Sequence, residues 1–122
     1  MARVRTKDTS AELTLRSLVH RMGYRFRLHR TDLPGKPDLV FPSLKKIIFV
    51  HGCFWHGHDC RRGRMPTSHV AFWTRKISAN RARDRRTVDK LMLLGWTSLV
   101  VWECELKAPE DLAEVIKNFL SG

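Results

Sequence analysis

Thirteen residues, from Ile48 to Cys60, constrain this chain more than any other stretch. Ile48-Phe49-Val50 is an apolar run that reads as a buried strand, and Gly52 breaks it. Beyond that glycine the chain is dense in metal-type ligands. The stretch holds three of the six histidines, two of the three cysteines and the aromatic pair Phe54-Trp55. A buried strand that delivers titratable side chains at its end is how α/β enzymes commonly place their chemistry.

The rest of the composition narrows the setting. With 122 residues and a hydrophobic fraction of 43%, one domain with one real core is expected. Lysine and arginine number 23 against 12 acids, a net charge of +11. That surplus is the footprint of a polyanion binder, although a generic basic surface would carry it too. No segment reaches the ~20 apolar residues of a membrane span, and the basic N-terminus leads into no signal-peptide core. An odd number of cysteines argues against a disulfide framework. Together these point to a reducing, cytoplasmic compartment, where cysteines beside histidines bind zinc more often than they cross-link.

Along the chain, residues 1–8 read as a basic arm. Thr9-Ser10-Ala11-Glu12 matches a capping box that opens a helix running to about Met22, with Leu15, Leu18, Val19 and Met22 as its stripe, Leu13 beside it and Gly23 as its stop. Tyr24, Phe26 and Leu28 alternate with basic residues, the period of a half-buried strand. Leu33-Pro34-Gly35-Lys36-Pro37 is turn punctuation, Asp38 to Phe41 a short strand, and Ile47 to Val50 a central one. Residues 68–94 read as helical, in two pieces joined near Ser78. Ser98 to Trp102 is a further buried strand, and Pro109 opens a last helix with Leu112, Val115, Ile116 and Phe119 on its apolar face. The order predicts a mixed central sheet flanked by helices.

Cys53, His58 and Cys60 are spaced C-x4-H-x-C, and Cys104 ends a different strand. Four such ligands suit a closed tetrahedral zinc site, against the plainer reading that the cysteines are small core residues. His56 could replace His58 as a ligand, but it has a better use. Asp38 heads a strand and the next strand ends at His51, which is a nuclease-like arrangement. The carboxylate would hold magnesium and His56 would serve as general base. Taken singly, Asp38 is a turn residue after proline, His51 a core histidine and Glu12 a capping residue. Phe54 and Trp73 alone are core aromatics, although the basic residues after Trp73 favour a base-stacking role. Trp96 and Trp102 read as core. Arg61, Arg62 and Arg64 form an exposed basic cluster suited to DNA phosphates.

These residues together resemble the very-short-patch-repair (Vsr) mismatch endonucleases. The likeness rests on Arg5-Thr6-Lys7-Asp8-Thr9 with Glu12, on Leu33 to Asp38, on Phe49 to Cys60, on Phe72-Trp73, on Asn80 with Arg83-Asp84-Arg85-Arg86, and on Gly95-Trp96 with Val101-Trp102-Glu103-Cys104. It implies a restriction-endonuclease-like α/β fold with a structural zinc, and a magnesium-dependent nick 5′ of the thymine in a T·G mismatch left by 5-methylcytosine deamination. On the matched positions Asp38, with the Val50 carbonyl, would bind magnesium. His56 would be the base, supported by His51 and Glu12, and Cys53, His58, Cys60 and Cys104 would hold zinc. Phe54, Trp55 and Trp73 would form a wedge entering double-stranded DNA beside the mismatch. Monomeric action is expected, with mismatch-repair proteins as partners. Relatives commonly carry more residues upstream of the Arg-Thr-Lys-Asp-Thr motif, where the arm helps grip DNA. The short arm here makes a less mismatch-selective or differently sequence-specific nicking enzyme of the same family the alternative.

Overall fold

The computed structural model describes residues 9–28, 30–60 and 63–122. Helix α1 (Ser10–Arg21) starts where the sequence places it. The Thr9 hydroxyl accepts the Glu12 amide at 3.2 Å, and Gly23, at a φ of +91°, turns the chain out of the helix. Strand β1 (Leu39–Phe41) and strand β2 (Lys46–His51) are antiparallel, joined by the short 3-10 turn Pro42–Leu44. Helix α2 (Val70–Leu93) then leads to strand β3 (Thr97–Trp102), which lies parallel to β2, and helix α3 (Pro109–Ser121) closes the chain.

The three-stranded mixed sheet runs in the order β1-β2-β3. Strand β1 and the middle of β2 are buried, whereas β3, expected as a buried strand over Ser98 to Trp102, is half-buried there apart from Val101. Alternate residues sort the core. Leu39, Phe41, Ile48 and Val101 pack with Leu15, Leu18 and Val19 of α1 and Leu112, Ile116 and Leu120 of α3. Val40, Ile47 and Phe49 face the other way, onto Leu33, Leu91 and Trp96. This explains why β2 is apolar without alternation: both of its faces are covered. Ile48 is fully buried, so Ile48→Ala would cost about 2–5 kcal/mol in lost transfer energy and cavity. Lys46 at the head of β2 donates to the carbonyls of Phe119 and Gly122, at 2.5 and 2.8 Å, and so ties down the C-terminal end of α3.

The parallel register has a consequence for function. It pairs His51 with Trp102, so β2 and β3 end side by side and deliver these two residues to one edge of the sheet.

Several expectations are corrected. The strand over residues 24–28 is reduced to a single bridge, Arg27 to Val40, because only there do backbone groups meet the edge of β1. The helix over residues 68–94 is continuous and does not break at Ser78. Its mixed pattern arises because Ile77 packs against the Cys53–Cys60 loop whereas Leu91 packs against the sheet. On α3, Leu120 replaces Val115, which is 44% exposed, and Leu13 of α1 is exposed as well. The arm over residues 1–8 lies outside the described residues. No helix among those described is long and apolar enough to cross a membrane.

Candidate active site and metal centre

The loop after β2 is folded tightly by its own backbone. The amides of His56, Gly57 and His58 donate to the carbonyls of Gly52, Phe54 and Cys53, at 3.2, 3.3 and 2.9 Å. Gly57 has a φ of +64°, and a Cβ there would stand 2.7 Å from Ile77 of α2, so only glycine allows the helix this close. Asn80 of α2 fastens the loop from outside, donating to the Trp55 carbonyl at 2.7 Å.

On one side of this loop Cys53, His58, Cys60 and Cys104 converge, with ligand atoms all within 4.8 Å of one another. Cys104 Sγ is 3.6 Å from His58 Nδ1. Ligands on a tetrahedral zinc, at ~2.3 Å for sulfur and ~2.0 Å for nitrogen, would stand about 3.5 Å apart, so the donor set fits that ion. Burial pushes the Cys53 thiol up to about 12, while the Cys104 amide, donating to its sulfur at 3.4 Å, pulls the other way. A thiol so buried gives up its proton when a cation takes its place.

On the other side lies a cleft of about 340 Å³ whose lining includes Glu12, Asp38, Val50, His51, His56 and Asp84. Asp38 stands just before β1 and its Oδ2 accepts the Val50 amide at 2.6 Å. Burial raises its pKa to about 6. The neighbouring Glu12 carboxyl, within hydrogen-bonding reach, adds to the rise, while the Val50 amide and the Arg16 charge oppose it. Two carboxyl groups sharing one partly buried place form an oxygen-donor set suited to a hard divalent cation. Glu12 is thus more than a capping residue. Its amide donates to the Thr9 cap of α1, and its carboxylate enters the cleft and pairs with Arg16 at 3.3 Å.

His51 and His56 stack face to face, ring centroids 3.9 Å apart and tilted by 9°. His56 Nδ1 lies 2.5 Å from Asp84 Oδ2 of α2, and His51 Nδ1 lies 4.0 Å from the same oxygen. A carboxylate can only accept, so His56 carries its proton on Nδ1 and presents Nε2 as the basic atom. Burial, together with the adjacent His56, lowers the His51 pKa to about 4, against the pull of Asp84, and keeps that ring neutral. Asp84 is the residue of this candidate site that the sequence did not single out by role. The one signal was its place in the Arg83-Asp84-Arg85-Arg86 stretch, and nothing in that stretch says which loop the helix faces.

Trp102 is also corrected. It is not simple core but the wall between the two sites, with its ring stacked on His58 at 4.2 Å and edge-on to His51 at 5.3 Å. Trp96 is buried, as expected. Phe54, Trp55 and Trp73 meet edge to face at 5.2 to 5.7 Å, joined by Phe72, which the sequence reading had given no role. Trp55 and Phe72 are 42% and 52% exposed, so the cluster is a surface feature. Arg64 is exposed, and Arg61 and Arg62 lie outside the described residues.

Comparison with known sequences matches residues 1–62 to the family described as DNA mismatch endonuclease Vsr. A protein of Xanthomonas oryzae named Type II nicking enzyme V.XorIIP is 54% identical over 120 residues, covering 98% of this chain and 88% of that protein. The DNA mismatch endonuclease Vsr of Escherichia coli is 43% identical over 114 residues, covering 93% of this chain and 73% of that one. A type II nicking enzyme of Neisseria meningitidis, V.NmeAIP, is 40% identical over 107 residues, covering 88% and 76%.

Proposed function

This chain belongs to the Vsr family of DNA mismatch endonucleases, and we propose that it nicks one strand of duplex DNA 5′ of the thymine in a T·G mismatch, by magnesium-dependent phosphodiester hydrolysis. The observation that carries the reading is the convergence of Glu12, Asp38 and His56 on one open cleft. The mixed sheet, with Asp38 at the head of one strand and His51 at the end of the next, supports a restriction-endonuclease-like fold in a single domain.

Asp38 and Glu12, with the Val50 carbonyl, would hold the magnesium ion, and Cys53, His58, Cys60 and Cys104 a structural zinc. When bound, magnesium supplies charge stabilisation at the phosphorus and at the leaving oxygen. His56 takes a proton from the attacking water through Nε2, while Asp84 fixes its tautomer and stabilises the imidazolium that results. The water oxygen bonds to phosphorus, the bond to the leaving sugar oxygen breaks, that oxygen takes a proton from solvent, and His56 holds the water proton until solvent removes it. His51, stacked on the His56 ring, holds its plane.

The surface cluster of exposed Trp55 with half-buried Phe54 and Trp73 supports a wedge at the mismatch. Opening a base step costs a few kcal/mol, less at a mispair, and aromatic faces recover part of it. From that cluster α2 runs to the cleft with Arg75, Lys76, Arg81, Arg83, Arg85 and Arg86 all exposed, a cationic track for phosphates. We place the enzyme in the cytoplasm, acting as a monomer upstream of other mismatch-repair proteins. That placement accords with its three unbridged cysteines.

A second reading, a nickase of looser or different selectivity, is favoured by the 54%-identical relative, which is named a type II nicking enzyme. Nicking of a T·G duplex and of its T·A control, with magnesium and with EDTA, separates the two. The expected result is a magnesium-dependent nick in the mismatched strand alone. Equal cutting of both duplexes establishes the second reading, and binding without cutting removes the enzymatic one.

A further inference from the structure

His51, His56 and Asp84 form a ligand set that neither the zinc cluster nor the magnesium site accounts for. Their ligand atoms lie within 4.8 Å of one another, and both Nδ1 atoms face the same Asp84 oxygen. The set stands between two openings. One is the cleft that holds Asp38, and the other, of about 380 Å³, is lined by His51, His56, Arg81, Asp84 and Trp102 among others. An ion can therefore arrive from either side.

Donor chemistry separates this set from its neighbours. Asp38 and Glu12 offer oxygen alone, which suits magnesium. Two imidazoles are borderline donors that, joined by one carboxylate, favour zinc, cobalt or nickel, and three such ligands leave a fourth position open. The rings now lie stacked, centroids 3.9 Å apart and 9° from parallel, so binding one ion requires them to swing out of the stack until a nitrogen of each points at it. We propose that His51, His56 and Asp84 bind a second, exchangeable transition-metal ion of the zinc class, and that its occupancy stops nicking by taking up His56. The inhibitory half rests on the function proposed above, whereas the binding half does not. Arg81 and Arg83 line the same openings and oppose a dication, which sets the affinity below that of the cysteine cluster.

The test starts from full-length protein already holding one equivalent of zinc, titrated with cobalt(II) by absorbance and with zinc by calorimetry. Expected is a second equivalent whose cobalt spectrum shows ligand-field bands without thiolate charge transfer. Asp84→Asn and His51→Gln should each weaken that equivalent at least ~10-fold and leave the first in place. Nicking in saturating magnesium should fall in step with the second equivalent. No second ion, thiolate bands on the added cobalt, or unchanged uptake in both variants would overturn the site. Uptake as expected with nicking unaffected overturns the inhibition. Uptake as expected in a protein that never nicks condemns the catalytic assignment and leaves the site standing.

Discussion

The two sides of the Cys53–Cys60 loop are built from the same few residues of backbone to opposite designs. On the zinc-type side three of four ligands come from one eight-residue segment and the fourth from just after β3. On the cleft side every group comes from a different place: Glu12 from α1, Asp38 from the head of β1, His51 from β2, His56 from the loop and Asp84 from α2. One side is closed, sulfur-rich and local. The other is open, oxygen-rich and assembled over most of the chain. Trp102, touching His58 on one face and His51 at its edge, is the shared wall. On the proposed function, the contrast assigns the first site to holding the loop and the second to using it.

The sharpest way to break this comparison is to remove a ligand that the loop does not itself supply. Cys104→Ala should cost the zinc ion and with it the fold of the loop. The expected result is a loss of several kcal/mol of stability and of all nicking, since structural zinc sites carry on the order of 10 kcal/mol of binding energy into folding. Thermal melting with metal analysis of the purified variant checks it. A normal melt with a full equivalent of zinc would make the cysteine side mere packing. On the cleft side the division should reverse. Asp38→Ala and His56→Ala should each reduce nicking by roughly 10³-fold or more while DNA affinity in a gel shift and the melting temperature stay close to wild type. If both variants also lose DNA, the cleft is a docking surface and the contrast collapses.

The same division governs what was legible in the sequence. Cys53, His58 and Cys60 announce themselves by spacing, because their partners are a few residues away. The central strand was equally plain, since an unbroken apolar run has few other uses. Asp84 could not be read as a partner of His56, because 28 residues and the whole packing of α2 on the loop separate them. Trp102 was misread for the same reason. A tryptophan ending a buried strand has the signature of core, and only the parallel register with His51 turns it into a partition. Residues 24–28 failed differently, their alternation being real and their backbone partner limited to Val40.

Asp84 offers an intermediate effect that sharpens the comparison. If it acts only through His56, Asp84→Asn should lower kcat by roughly 10- to 100-fold, leave KM for the mismatched duplex unchanged and displace the limb of the pH–rate profile set by His56. A uniform loss of kcat with the profile in place would make Asp84 structural, and the cleft would then be no more cooperative than the zinc side.

The smallest effect concerns stability and isolates the charge on Asp38. Its carboxyl titrates near 6 in the folded protein against ~3.9 in an unfolded chain, so the folded state binds the proton more tightly. The stability this contributes is therefore complete below about pH 4 and is lost as pH rises through 6, where the ionised group sits beside Glu12 in partial burial. Asparagine cannot ionise and escapes that loss. Asp38→Asn should match wild type in urea melts near pH 4 and exceed it by on the order of 2 kcal/mol at pH 7.5 without divalent ions, the full shift being discounted because the group is not wholly buried. Millimolar magnesium should narrow the gap, because the ion stabilises the ionised wild type alone. If the two proteins run parallel across that range, the oxygen pair carries no electrostatic strain for a cation to relieve. The cleft would then lose the feature that most clearly separates it from the sulfur cluster across the tryptophan.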